Sequence, residues 1–271
     1  MNHQENKSSR FGLRNTRLCF ATIGASVIAV LFGTVVAPAA QAATEVVDSP
    51  GHLPGWNQDF VDNFDSGLNT GVWGRYETDS PTQGKASEWD AANAFTENGS
   101  LVIRTHDAGG GDWRSGGVSS GPGFAAAQGK WAVRAKFDRA YGVSYAFLLY
   151  PQGGGWPPEV DFAEGVSGGD YVMSTLHWSS ANLTDSRFNH DVDMTQWHTY
   201  GVILSDDKVE FTVDGSVWTT IDNHGSPRIP MWLGLQAGAK HCAGSTGECL
   251  SSSTPKDSQI TIDWAAHWTA A

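Results

Sequence analysis

Trp156-Pro157-Pro158-Glu159-Val160-Asp161-Phe162-Ala163-Glu164-Gly165 places three carboxylates within six residues, interleaved with apolar side chains. Side chains alternate between the two faces of a β-strand, so Glu159 and Asp161 share one face while Val160 and Phe162 share the other. Glu164 stands five positions after Glu159, and unbroken alternation would send it to the apolar face. One extra residue, a β-bulge near Phe162–Ala163, returns it to the acidic face. The stretch therefore reads as a bulged strand that carries three acids towards a cleft and keeps its other face in a core. Acid clusters also occur in solvated loops and as calcium ligands. The alternating Val160 and Phe162, with Trp-Pro-Pro in front, argue against a solvated turn.

Two glutamates so placed suit cleavage of a glycosidic bond. Retaining glycosidases hold their two carboxyls roughly 5–5.5 Å apart, and inverting ones about 6.5–9.5 Å apart. Four strand steps separate the glutamate Cα atoms by roughly 13 Å, less with a bulge. Side chains leaning inwards close that gap to the retaining distance. Glu159 is then the ionised nucleophile and Glu164 the general acid, later the base. Asp161 between them adjusts both, because like charges raise a pKa and a hydrogen bond to the ionised form lowers it.

The pattern E-x-D-x-x-E in an apolar strand, with Trp-Pro upstream, resembles the signature of glycoside hydrolase family 16 in its bulged, laminarinase-like form. That resemblance implies a concanavalin A-like jelly-roll β-sandwich with a concave substrate cleft. It also implies a retaining, endo-acting hydrolase or transglycosylase, with Glu159 as nucleophile, Asp161 as the assisting acid and Glu164 as acid/base.

The rest of the chain follows the family's strand order from about Asp59 to Trp264. Asn57 to Asp65 and Leu68 to Trp73 look like its entry strand, turn and tryptophan. Asn98-Gly99 is a turn signal before the alternating Leu101–Thr105. Asn93 stands where the family has an asparagine bordering the cleft. Trp113 to Ser120 and Gly129 to Asp138 resemble two further family strands; in the second, Trp131, Val133, Ala135 and Phe137 share one face. Tyr145 to Pro151 matches a strand that usually carries a tryptophan where this chain has Leu148, a departure that alters one sugar-stacking subsite and hence the exact glucan.

In Val172 to Trp178, Met173, Thr175 and His177 share a face beside the acidic strand, so His177 is expected in the cleft. Trp197 to Leu204 reads as a core strand, and Val209–Val213, Asp214-Gly215 and Ser216–Trp218 as a hairpin. Met231 to Ala237 resembles a late cleft strand, with Trp232 and Gln236 on one face. Ile260–Trp264 resembles the closing strand. In the family its aspartate, here Asp263, often helps hold a structural calcium with backbone carbonyls, one near Gly99. No cofactor is required by the implied chemistry. The chain has 12 tryptophans, most of them core; Trp156 beside the acids and Trp113 in a Gly/Ser-rich loop are the choices for sugar stacking.

The N-terminus reads as an export signal. Lys7, Arg10, Arg14 and Arg17 precede an apolar run from Leu18 to Val36, then Ala40-Gln41-Ala42. The alternative, an uncleaved anchor, fits less well with Thr22, Gly24, Ser26 and Gly33 in that run. Residues 1–42 are read as a signal peptide and 43–271 as a single catalytic domain, secreted and monomeric, with no membrane contact after cleavage. Of 17 basic and 29 acidic residues, four and one respectively precede Ala43, leaving 13 against 28, a net −15. That charge disfavours nucleic acid as a partner. Cys242 and Cys249 fit one small disulfide.

The expected function is hydrolysis of internal bonds of a polysaccharide, a β-1,3- or β-1,3/1,4-glucan by analogy with the family. A transglycosylase remodelling envelope glycan and a non-catalytic carbohydrate-binding sandwich are the alternatives. Retention of all three acids speaks against the second, since binding alone does not require them.

Overall fold

Residues 50–78, 86–240 and 249–271 are described by a computed structural model. The segment read as a signal peptide and Cys242 lie outside the described residues. Cys249 is disulfide-bonded.

Alternating sequence becomes strand almost throughout. The strands are β1 (Trp56–Asp62), β2 (Gly74–Arg75), β3 (Ser87–Trp89), β4 (Ala94–Glu97), β5 (Ser100–Asp107), β6 (Trp113–Ser115), β7 (Gly117–Ser119), β8 (Gly129–Phe137) and β9 (Val143–Pro151). They continue with β10 (Glu159–Val166), β11 (Val172–Ser179), β12 (Leu183–Asn189), β13 (His198–Leu204), β14 (Val209–Val213), β15 (Ser216–Ile221), β16 (Met231–Ala239) and β17 (Asp257–Ala270). The only helical turn among the described residues is a 3-10 turn, Ala91–Asn93.

Two sheets form. One of ten strands runs β15-β14-β13-β8-β17-β5-β6-β3, with β1 beside β17 and β4 beside β5. The other, of seven, runs β12-β11-β10-β9-β16-β7-β2. All pairs are antiparallel except β3 with β6. The Asn98-Gly99 turn joins β4 to β5 with φ of 51° and 76°, the pair of positive angles that a two-residue hairpin loop demands.

Between the sheets, the inward faces of β8, β9, β10 and β13 meet in an aromatic core. The Phe137 and Tyr145 ring centroids are 4.4 Å apart, Phe147 and Phe162 6.2 Å. Phe162 is 1% exposed, and truncating such a ring to alanine costs about 3–5 kcal/mol. A second, smaller cluster joins Leu53 and Trp56 to Ala132, Trp264, Ala266 and Trp268. The two-sheet sandwich is the architecture the sequence predicts.

Candidate active site

The site begins with a register shift in β10. Against β9, Asp161 pairs with Leu148 but Ala163 with Phe147; against β11, Asp161 pairs with Thr175 but Glu164 with Met173. One extra residue is therefore accommodated at Phe162–Ala163, where the sequence predicts it. Both bulged side chains enter the core. The displaced Phe162 carbonyl accepts a hydrogen bond from the buried Ser174 hydroxyl at 2.9 Å, so the interrupted ladder leaves no orphaned acceptor there.

The shift aligns three cross-strand rows on the face of the seven-stranded sheet turned away from the core. Glu159 lies opposite His177, and His177 opposite Thr184. Asp161 lies between Thr175 and Leu148, with Gly234 and Ser119 beyond. Glu164 lies between Met173 and Ala146, with Phe188 on one side and Gln236 and Gly117 on the other. All three acids line one cleft of about 630 Å³, together with His177, Leu148, Gln236 and Lys240.

Each acid has its own partners. The Trp156 indole Nε1 donates to Glu159 Oε2 at 2.6 Å. The Thr175 hydroxyl lies 3.4 Å from Glu164 Oε2 and 3.0 Å from the Ser186 hydroxyl. Asp161, 3% exposed, faces His177 Nε2 across 3.2 Å from its Oδ2, and His177 Nδ1 lies 3.2 Å from Asn182 Oδ1. Burial, assisted by the charges of Glu164 and Glu159, raises the Asp161 carboxyl to about 7 against the opposing pull of His177. The hydrogen bond to Asp161 holds the His177 imidazole up at about 9, although its partial burial acts the other way. A buried, proton-holding aspartate between two glutamates is an arrangement suited to acid–base chemistry.

The expected residues divide into those the fold gathers and those it does not. Glu159, Asp161, Glu164, His177 and Gln236 line the cleft, and Trp156 reaches it through Glu159. Trp232 stands on β16 two residues from Gly234 and packs on Tyr150, centroids 5.3 Å apart. Trp113 is not brought to this cleft. It is 7% exposed on β6, in the opposite sheet, with Lys256 Nζ 5.5 Å from its ring centroid. The Gly/Ser-rich stretch around it pairs with β5 and β3 as regular strand and leaves no exposed face for a sugar. Asn93 is also outside the cleft lining. It is 3% exposed at the end of the 3-10 turn, with its carbonyl packed on Gly116, where a Cβ would lie 2.0 Å from that oxygen.

Asp263 and Gly99, the expected calcium ligands, are linked by Asp65. A Cβ on Gly99 would lie 2.9 Å from Asp65 Oδ1, and the Asp65 charge adds to the burial that raises Asp263. Asp263 also faces Arg134 Nε at 3.5 Å, and Asp65 accepts from Asn63 Nδ2 at 2.7 Å. Among the described residues no three of His, Cys, Asp or Glu are close enough to hold a metal. Asp65 and Asp263 supply carboxylate oxygens here, and the rest of the six to eight oxygens that calcium takes would have to be backbone carbonyls or water.

Tyr76 is the cleft-side residue that sequence reasoning missed. Its ring lies where a Cβ on Gly117 would come within 2.3 Å, and its hydroxyl 3.1 Å from the Cβ position of Gly234. Burial and the Glu159 charge push its phenol pKa upward. The signal was a pair of glycines far away in sequence, one on β7 and one on β16.

Residues 76–266 match the family model described as Glycosyl hydrolases family 16. The chain belongs to glycosyl hydrolase family 16. Its similarity to an endo-1,3-1,4-beta-glycanase, ExsH, of Rhizobium meliloti (strain 1021) is 29% identity over 160 residues, 56% of this chain and 33% of the relative. A keratan-sulfate endo-1,4-beta-galactosidase of Sphingobacterium multivorum is 26% identical over 227 residues, 76% of this chain and 53% of that one. The chain thus spans a third to about half the length of these family 16 relatives. Among solved structures, the catalytic domain of an endo-1,3-beta-glucanase (laminarinase) from Thermotoga petrophila superposes with a TM-score of 0.68 at 22% identity, covering 79% of this chain and 98% of that domain. The laminarinase catalytic domain from Thermotoga maritima gives 0.69 at 21%, covering 80% and 99%. These likenesses show the family 16 sandwich fold.

Proposed function

We propose that this chain hydrolyses internal β-linkages of a polysaccharide with retention, and that a β-1,3- or β-1,3/1,4-glucan is the substrate. The observation that carries this reading is the alignment of Glu159, Asp161 and Glu164 on one concave face by the bulge at Phe162–Ala163. The names of the relatives support the substrate class, and the family supports the reaction.

In the proposed cycle, Glu164 gives its proton to the glycosidic oxygen while a Glu159 oxygen attacks the anomeric carbon. The C–O bond to the leaving sugar breaks, and a glycosyl ester forms on Glu159. Glu164, now a carboxylate, takes a proton from water, whose oxygen attacks the same carbon and releases Glu159. Trp156 steadies the Glu159 carboxylate, and Asp161 sits between the two working acids. Side chains alone carry these steps, and a calcium ion near Asp263 would be structural. Export through residues 1–42, cut after Ala42, and action as a monomer complete the reading; the basic residues and apolar run support the first, and a site built wholly from one chain the second.

The test is incubation of the protein with a panel of β-glucans and galactans. New reducing ends, first appearing as the β-anomer by NMR, are expected from a glucan. Size redistribution without reducing ends would make it a transferase, and binding without either a carbohydrate-binding sandwich. Glu159→Gln and Glu164→Gln should each lower turnover by about 10²–10⁴-fold or more in a folded protein. Full activity in either variant overturns the assignments.

A further inference from the structure

We propose that Phe188, backed by Tyr171, is a stacking platform for a neutral pyranose unit of the glycan, on the β12 side of the acids. The proposal rests on the glycosidase reading of the cleft and extends it to a subsite. Phe188 lies on β12, at the edge of the seven-stranded sheet, and is 53% exposed. Its register partner is Met173, whose other partner is Glu164, so Phe188 projects from the face that carries the acids. It lines the same cleft.

Tyr171 holds the ring in place. The two centroids are 5.4 Å apart at 69°, an edge-to-face contact that restrains the Phe188 ring while more than half of the residue stays exposed. Tyr171 itself lies over Gly165, where a Cβ would come within 3.5 Å of its ring. The residue after Glu164 is thus a glycine at φ 150°, in the left-handed half of backbone space, with the tyrosine beside it. A cleft with an acidic floor and an aromatic end suits a ligand with an apolar C–H face and hydroxyl edges. The three carboxylates disfavour an anionic one.

A second aromatic pair, Tyr150 with Trp232, stands on β9 and β16. From β12 to β16 the sheet advances four strand spacings, about 19 Å, so an extended glycan bound across the strands meets an aromatic at either end.

Affinity electrophoresis of the whole protein through gels containing laminarin or mixed-linkage glucan tests the platform without relying on turnover. Phe188→Ala should bind roughly tenfold more weakly than the parent and Phe188→Trp about as well, the scale expected for one lost stacking contact. The melting temperature of each variant checks folding. Unchanged affinity in folded Phe188→Ala overturns the platform, as does a parent that binds no glycan. Lost affinity in Phe188→Ala with a parent that cuts nothing would uphold the platform and remove the hydrolase reading. Cleavage by the parent with Phe188→Ala unaffected would remove the platform alone. A changed oligomeric state with unchanged binding would make Phe188 a self-contact and overturn the proposal.

Discussion

His177 Nε2 sits 3.2 Å from Asp161 Oδ2, and the two groups titrate in the same thermodynamic direction. Asp161 is held up at about 7, so the folded protein keeps a proton that the unfolded chain releases near pH 4. His177 is held up at about 9, so its stabilisation is complete below about 6.5 and is lost as pH rises through 9. Both terms make stability fall with rising pH, the first between about 4 and 7 and the second between about 6.5 and 9. Thermal unfolding across pH 4 to 9 should show this decline, and Asp161→Asn should flatten it. An unchanged slope in that variant would refute the coupling.

Trp156→Phe keeps an aromatic ring but removes the donor to Glu159 at 2.6 Å. A hydrogen bond to a charged group contributes about 1.5–3 kcal/mol, so kcat should fall by roughly tenfold or more. KM should change little if the bond serves the nucleophile rather than the sugar. Steady-state kinetics on the preferred glucan decide between these.

Ser174→Ala leaves the Phe162 carbonyl without its hydroxyl donor in a buried bulge. An unsatisfied buried acceptor costs about 1–3 kcal/mol. Denaturant unfolding should show that loss, and turnover should fall with it if Glu164 loses its placement.

Gly117→Ala would place a Cβ 2.3 Å from the Tyr76 ring. Overpacking of this kind costs about 1–3 kcal/mol, and the expected result is a lower melting temperature together with a raised KM as Tyr76 is pushed towards the cleft. Gly117→Ala with Tyr76→Ala should recover the stability, which a double-mutant cycle measures.

Dialysis against a chelator should leave activity unchanged and move the melting temperature little, because Asp263 is faced by Arg134 rather than by a third carboxylate. A large calcium-dependent rise in melting temperature would show that Asp65, Asp263 and nearby carbonyls do gather around the ion.

What the sequence made legible was local. Glu159, Asp161 and Val160 sort by strand period alone, and a single irregularity suffices for Glu164. His177 followed from sharing a face with Met173 and Thr175 next to that strand. Trp113 misled because a Gly/Ser-rich neighbourhood resembles a loop, whereas here β6 is paired on both sides. Tyr76 and Phe188 were illegible for a different reason. Their positions depend on Gly117, Gly234 and Met173, partners that only the folded sheet brings near. Strand β12, polar and lacking a clean alternation, gave no pattern to read.

The bulge also adds one side chain to the core. Excising Phe162 would leave Glu-Val-Asp-Ala-Glu, a strict alternation that still presents every acid to the same side. The two glutamates would still stand four strand steps apart, as their partners His177 and Met173 do, but an alanine would replace a phenyl ring in the core. The inserted residue therefore thickens the core under the acids while leaving their spacing along the ladder as it was, so filling of the sandwich and placement of the carboxyls can be varied separately.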